Sequence, residues 1–352
     1  MSRGEKPPFT PERAEFYGRI DPLAVAPLWE RLFDIVTREP KPRAAPHIWK
    51  YDDIRPYLME TADLITAEEA ERRVLILENP ALKGETAASD ALFAGLQLIM
   101  PGEVAPTHRH SPAALRFIVE GDGAYTAING EKAPMTVGDL ILTPSMVWHD
   151  HGNIGDEPVV WLDGLDLPTV RFMGPMFSEL YQGGKSYPEG RPAFDNIARY
   201  GANMLPMDAK FEEPSSPVFH YPYKATKEAL LNLKRSGETD PYHGIKMQYI
   251  NPVDGGPVMP TIGCYMQLLP GRFKTETYQS SAAWIYSVVE GHGRTIIGDT
   301  EIEWGPRDTF VVPTWYPHHH ESDGDAFVFS FSDRTMQEKL GLYREKRGNV
   351  MH

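Results

Sequence analysis

The chain has 352 residues, 41% of them apolar and 24% charged, which is the composition of a folded globular protein with room for two ordinary domains. A net charge of −14 opposes phosphate binding, and no run of Lys or Arg makes a basic face, so no nucleic acid partner is expected. No apolar stretch approaches the ~18 residues needed to cross a bilayer, and the start MSRGEKPPFTPERAEFYGRI lacks the apolar block of a secretory signal, so no membrane contact and a cytoplasmic location are expected. The lone cysteine, Cys264, forbids an intrachain disulfide and reads as a small buried apolar residue.

The chain divides into an N-terminal arm over 1–85, a first β domain over 86–170, a connecting region over 171–240, a second β domain over 241–335 and a tail over 336–352. In the arm, Leu28, Leu32, Ile35 and Val36, with Trp29 and Phe33, recur at helical spacing between Pro27 and Pro40, which predicts a helix packed on something. Thr66 and Glu69 have the spacing of a capping box, and VLILENP from Val74 predicts a strand ended by a proline turn. From Ala91 to Asp166 short β-rich runs alternate with the turn signals Pro101-Gly102, Gly121-Asp122-Gly123, Asn129-Gly130 and Gly138-Asp139, the rhythm of an antiparallel barrel or jelly roll. TKEALLNLKRSG from Thr226 predicts a capped surface helix ahead of the second domain.

The two β domains are copies. VEGDGAYTAINGEKAPMTVGDLILTPSMVWHDH is followed at an offset of 170 residues, Glu120 to Glu290, by VEGHGRTIIGDTEIEWGPRDTFVVPTWYPHHH. Only the first keeps all its histidines. Gly102 is followed after five residues by His108-Arg109-His110; Gly138, Pro144, His149 and Asn153 follow at matching intervals. Two imidazoles separated by one residue on a strand share a face about 7 Å apart, and a neighbouring strand delivers the third. This paired motif resembles the cupin superfamily and implies a mainly β bicupin, two jelly-roll barrels behind a helical arm, with a metal on His108, His110 and His149. In the second copy Thr277 and Tyr278 or their neighbours stand where His108 and His110 would be, so His318, His319 and His320 lack partners and one metal per chain is expected.

Many cupins carry a glutamate four or five residues after the HxH pair; here the stretch is Ser111-Pro112-Ala113-Ala114-Leu115-Arg116, without a carboxylate. Three neutral imidazoles leave the full charge on a divalent ion and Arg116 adds another, so the site is built for an anion. Arg116 has the parity of His108 and His110 and faces the same interior if the strand is not reset at Pro112; its planar guanidinium suits a carboxylate. His151, two residues past His149, shares its face as a neighbour placed to bond substrate or dioxygen and to pass a proton. Asp163 has the parity to orient His151 or hold a ring hydroxyl. Three nitrogen ligands suit Fe(II), with Zn(II), Ni(II) and Mn(II) open on ligand type alone.

ALRFIVEG with arginine in place of glutamate, TPSMVWHDHGN, PLWERL and AERRVLILENP together resemble gentisate 1,2-dioxygenase over nearly the whole chain. The resemblance implies one Fe(II) per chain, O₂ as co-substrate and a homotetramer. It also implies cleavage of gentisate between the carboxyl-bearing and adjacent hydroxyl-bearing carbons, giving maleylpyruvate. It favours Arg72 over Arg73 as a pocket residue, and places Gln97 and Phe93 in the substrate wall, where relatives often carry tryptophan for Phe93. Salicylate and 1-hydroxy-2-naphthoate dioxygenases are close relatives and alternative activities. A metal-dependent isomerase or decarboxylase, or a non-enzymatic binding bicupin, would use the same barrel.

Overall fold

The computed structural model describes residues 9–211 and 213–351. The chain forms two compact units, Met1–Lys41 and Pro42–His352, so the expected arm ends at Lys41 and residues 42–85 belong to the main body. In the smaller unit, Pro11 opens the helix Pro11–Ile20, and the Thr10 hydroxyl accepts from the Arg13 N–H at 3.4 Å. The helix Leu28–Ile35 forms as its periodicity requires; Leu32 and Phe33 are half-buried, whereas Leu28, Trp29 and Ile35 are exposed among the described residues.

The main body contains two barrels of the same design. In the first, a six-stranded sheet in the order His220–Tyr221, Leu140–Thr143, Ala114–Glu120, Val159–Leu165, Phe93–Ile99, Val74–Ile76 faces a five-stranded sheet. The latter runs Ser178–Leu180, Val104–His110, His149–Asn153, Ala124–Ile128, Glu131–Pro134. In the second, the sheet built on Thr309–Val312, Trp284–Glu290, Ala326–Ser332, Gly263–Leu269 and Ile245–Gln248 faces one built on Thr300–Trp304, Gly293–Ile297, His318–Ser322 and Tyr278–Ser280. The tail supplies the last strands of that sheet, Glu345–Arg347 and Val350–Met351. Asn129 and Gly130, at φ 48° and 83°, close a two-residue hairpin, the left-handed pair that their residue types allow.

The sheet that contains Ala114–Glu120 and the sheet that contains Trp284–Glu290 pack back to back. Leu115, Phe117 and Leu162 of the first meet Met266, Phe329 and Phe331 of the second in one core, and Phe117 stacks on Phe329 at 4.0 Å. Such strands are buried on both faces, which is why Val159–Leu165 and Ala326–Ser332 are nearly unbroken apolar runs. Cys264 lies in this core, where burial pushes its thiol pKa well up.

Each barrel is completed by the segment that leads into the other. His47–Trp49, ahead of the first barrel, pairs with Thr309–Val312 of the second; His220–Tyr221, ahead of the second, pairs with Leu140–Thr143 of the first. The helices that follow repeat the exchange. The Tyr51 N–H at the start of Tyr51–Leu64 donates to Asp308 at 2.9 Å, and the Tyr223 N–H at the start of Tyr223–Ser236 donates to Asp139 at 2.8 Å. The latter helix thus begins three residues before Thr226, and Leu230 is buried between the barrels, so it is no mere surface helix.

Candidate metal centre

The strands Val104–His110 and His149–Asn153 pair with His108 opposite His149, after an irregularity between Ala105 and His108 that resets the register. The three imidazoles therefore converge: ring centroids are 4.2 Å apart for His108 and His149, 5.0 Å for His110 and His149, and 5.2 Å for His108 and His110. One nitrogen from each lies within 4.8 Å of the others, and this is the sole such triad of His, Cys, Asp or Glu among the described residues.

The donor set fits a metal. The Nδ1–H groups of His110 and His149 point to the carbonyls of Pro112 (2.7 Å) and Val147 (2.9 Å), which leaves each Nε2 lone pair free. Nε2 of His149 is fully buried with no hydrogen-bond partner, an expensive arrangement unless something binds it. Burial holds all three imidazoles neutral: the pKa of His110 falls to about 4, and those of His108 and His149 are likewise pushed well below the usual imidazole range, helped by Arg72 and Arg116.

Arg116 reaches the same space from the opposite sheet. The strand is reset at Ser111–Ala113, contrary to the parity argument, and Arg116 enters on Ala114–Glu120 with Asp163 as its cross-strand partner. Its Nη1 donates to the Thr143 hydroxyl at 2.5 Å and its Nε lies 3.6 Å from Asp163. Asp163 accepts from the Trp161 indole at 3.0 Å, and burial raises its pKa to about 6 against the pull of Arg116. The carboxylate therefore serves Arg116 and Trp161 rather than His151. His151 is completely buried, its ring 5.8 Å from His149 and 5.3 Å from Trp161, with Nδ1 2.9 Å from the Thr126 hydroxyl and Nε2 unpartnered.

Adjacent arginines diverge as an extended chain requires. Arg72 lies against the His108 ring and donates to the Pro106 carbonyl at 3.0 Å, whereas Arg73 pairs with Glu103. Gln97 is buried opposite Val74 and Trp161, and Phe93 lies on the same strand face. Between them Gly95 leaves room that a side chain would contest: a Cβ there would come 2.6 Å from the Val74 side chain and 3.0 Å from the Phe93 ring, so one of them would have to shift. Thr126, Thr143, Trp161 and Val74 escaped the sequence reading. One signal was present for Thr126, since a threonine also stands at position 295 in the second copy.

The second barrel keeps the scaffold and loses the site. Tyr278, opposite His318, and Ser280 occupy the stations of His108 and His110, so the register places Tyr278 and Ser280 rather than Thr277 there. The Tyr278 hydroxyl turns to Tyr343 (2.6 Å) and Glu345 (2.8 Å). Tyr286 and Ser330 face each other where Arg116 and Asp163 do in the first barrel.

Comparisons agree with this geometry. Residues 95–165 match the cupin domain. The chain is 55% identical over 348 residues to gentisate 1,2 dioxygenase 1 of Aquipseudomonas alcaligenes, covering 99% of this chain and 100% of that one. It is 38% identical to 5-aminosalicylate 1,2-dioxygenase of a Comamonas species, covering 92% and 87%. The crystal structure of salicylate 1,2-dioxygenase from Pseudoaminobacter salicylatoxidans with gentisate superposes at a TM-score of 0.92 and 32% identity, covering 99% and 98%. The chain, a bicupin with one complete histidine triad, belongs to the gentisate 1,2-dioxygenase family.

Proposed function

We propose that this protein opens gentisate between its carboxyl-bearing and adjacent hydroxyl-bearing carbons to give maleylpyruvate, with O₂ as co-substrate and one Fe(II) held by His108, His110 and His149. The carrying observation is the triangle of neutral imidazoles, His149 buried and His108 and His110 partly so, without a carboxylate ligand and faced by Arg116 and Arg72. It stands in a chain 55% identical to a gentisate dioxygenase. Iron there supplies a cation able to chelate an ortho-hydroxycarboxylate and to activate O₂. The chain's own residues do the rest. Arg116, held by Thr143 and Asp163, binds the substrate carboxylate in a fixed orientation. Arg72 adds a second positive charge at the same end. His151 exchanges a hydrogen bond or proton with the reacting oxygens, while Gln97 and Phe93 wall the ring and, with Val74, keep water out.

Salicylate is the second reading, favoured by the close superposition on a salicylate dioxygenase. Oxygen uptake measured on gentisate, salicylate and 1-hydroxy-2-naphthoate tests both; gentisate should turn over fastest. Conversion without O₂ would instead point to isomerase or decarboxylase chemistry. A cytoplasmic homotetramer completes the proposal, and the exposed apolar side chains of Leu28, Trp29 and Ile35 support self-association. No helix among the described residues is long and apolar enough to cross a membrane.

A further inference from the structure

His151 is a neutral imidazole with two unlike ends. Its Nδ1 meets the Thr126 hydroxyl at 2.9 Å; its Nε2 is buried and unpartnered, on a ring that lies 5.8 Å from the His149 ring and 5.3 Å from that of Trp161. Which nitrogen carries the proton decides whether the end near the triad donates or accepts a hydrogen bond.

The hydroxyl settles the question. Thr126 is fully buried, and among the described residues its Oγ1 has no hydrogen-bond partner other than His151. A buried hydroxyl proton left without an acceptor is costly, and His151 Nδ1 is the acceptor within reach. If Nδ1 carried a proton as well, two protons would face one another or the hydroxyl proton would be stranded. The second barrel repeats the device with an added constraint. There the Thr295 hydroxyl accepts the Trp304 indole N–H at 2.9 Å and meets His320 Nδ1 at 2.8 Å, so its own proton is directed to His320. The motif thus belongs to the scaffold, and the first barrel aims it at the metal centre.

We infer that Thr126 is a positioning residue that fixes His151 as the Nε2–H tautomer, so that this histidine enters the reaction as a hydrogen-bond donor to a bound oxygen and not as a base. The inference rests on the dioxygenase reading for its consequence, though the proton's place is a property of the metal-free protein. It also says what kind of substrate oxygen His151 recognises: one bearing negative charge or a free lone pair, as a phenolate or carboxylate does.

The test reads the proton directly. Histidine-labelled, metal-free, full-length protein is examined by ¹⁵N magic-angle-spinning NMR, and the His151 signals are identified by their absence from His151→Gln. Wild type should show a bare Nδ1 and a protonated Nε2. Thr126→Val should move the proton toward Nδ1 or mix the tautomers, and Thr126→Ser should restore the wild-type pattern. In the iron-loaded protein, single-turnover ring opening should fall on the order of 10- to 100-fold in Thr126→Val, with KM and iron content unchanged and rescue by Ser. Should the valine variant not fold, Thr126→Cys, with similar bulk and a weaker donor, takes its place. A protonated Nδ1 in wild type overturns the inference, and so does a tautomer shift that leaves turnover intact. A wild-type enzyme inert toward every ortho-hydroxycarboxylate would instead overturn the proposed function and leave the NMR result standing.

Discussion

At the residue scale, the ligands and their neighbours differ in what their loss removes. His110→Ala takes one of three ligands from the triad and should strip most of the iron, whereas His151→Ala should retain iron and lose about 10²–10⁴ in turnover. Metal analysis and single-turnover kinetics on the same samples check both, and two irons per wild-type chain would contradict the single site. Arg116→Ala removes a charge-assisted contact of about 1.5–3 kcal/mol, so kcat/KM for gentisate should fall roughly ten- to a hundredfold while iron stays bound. If the kinetics hardly change, Arg72 is the carboxylate clamp. The triad was legible in the sequence because histidine at fixed spacing is rare and chemically specific. Arg116 was legible in type but not in route: it comes from the facing sheet and not along the histidine strand. Thr143 and Trp161 were not legible, since a threonine or tryptophan inside a barrel strand reads as ordinary core until its partner is known.

At the scale of elements, a repeated glutamate ties each leading helix to a barrel. Glu120 accepts from Arg55 at 2.5 and 2.8 Å and from Tyr51 at 2.8 Å; Glu290 accepts from Tyr223 at 2.8 Å and Lys227 at 2.7 Å. Arg55 holds Glu120 below the usual carboxylate range. A depressed folded-state pKa adds stability that is fully present above the unfolded value, about 4.3, and lost as pH falls through the folded one. Glu120→Gln should therefore destabilise by about 1 kcal/mol at pH 7, a figure kept low because Arg55 is partly exposed, and by much less near pH 3. Thermal melts of both proteins at the two pH values check this; an equal Tm difference at both would assign the loss to packing. Hairpins and the arm helix were legible from turn chemistry and periodicity. The docking of Tyr51–Leu64 was not, because its partners lie about 70 and 260 positions away.

At the scale of the whole molecule, the repeat itself was legible, down to its offset, and so was the absence of an HxH pair from its second copy. The boundaries were not: a segment's place in sequence gave no sign that it completes the other barrel. Two polypeptides covering 42–180 and 181–351 should each be poorly soluble and lack a cooperative melt, since each leaves a sheet edge and the inner face around Phe117 and Phe329 bare. Co-expression should recover a complex with the intact body's melt, and an independently stable half would show that the exchanged strands contribute little.

The exchange also sets an order in time. His47–Trp49 leaves the ribosome about 260 residues before Val311, its partner, exists. At about 5–20 residues per second the nascent chain carries that strand unpaired for roughly 13–50 s. The first barrel waits for His220–Tyr221 in the same way, though for a shorter interval. The histidine triad, whose ligands all lie between positions 108 and 149, is synthesised well before either exchange closes, so iron has its ligands available while the body that will bury them is still being made.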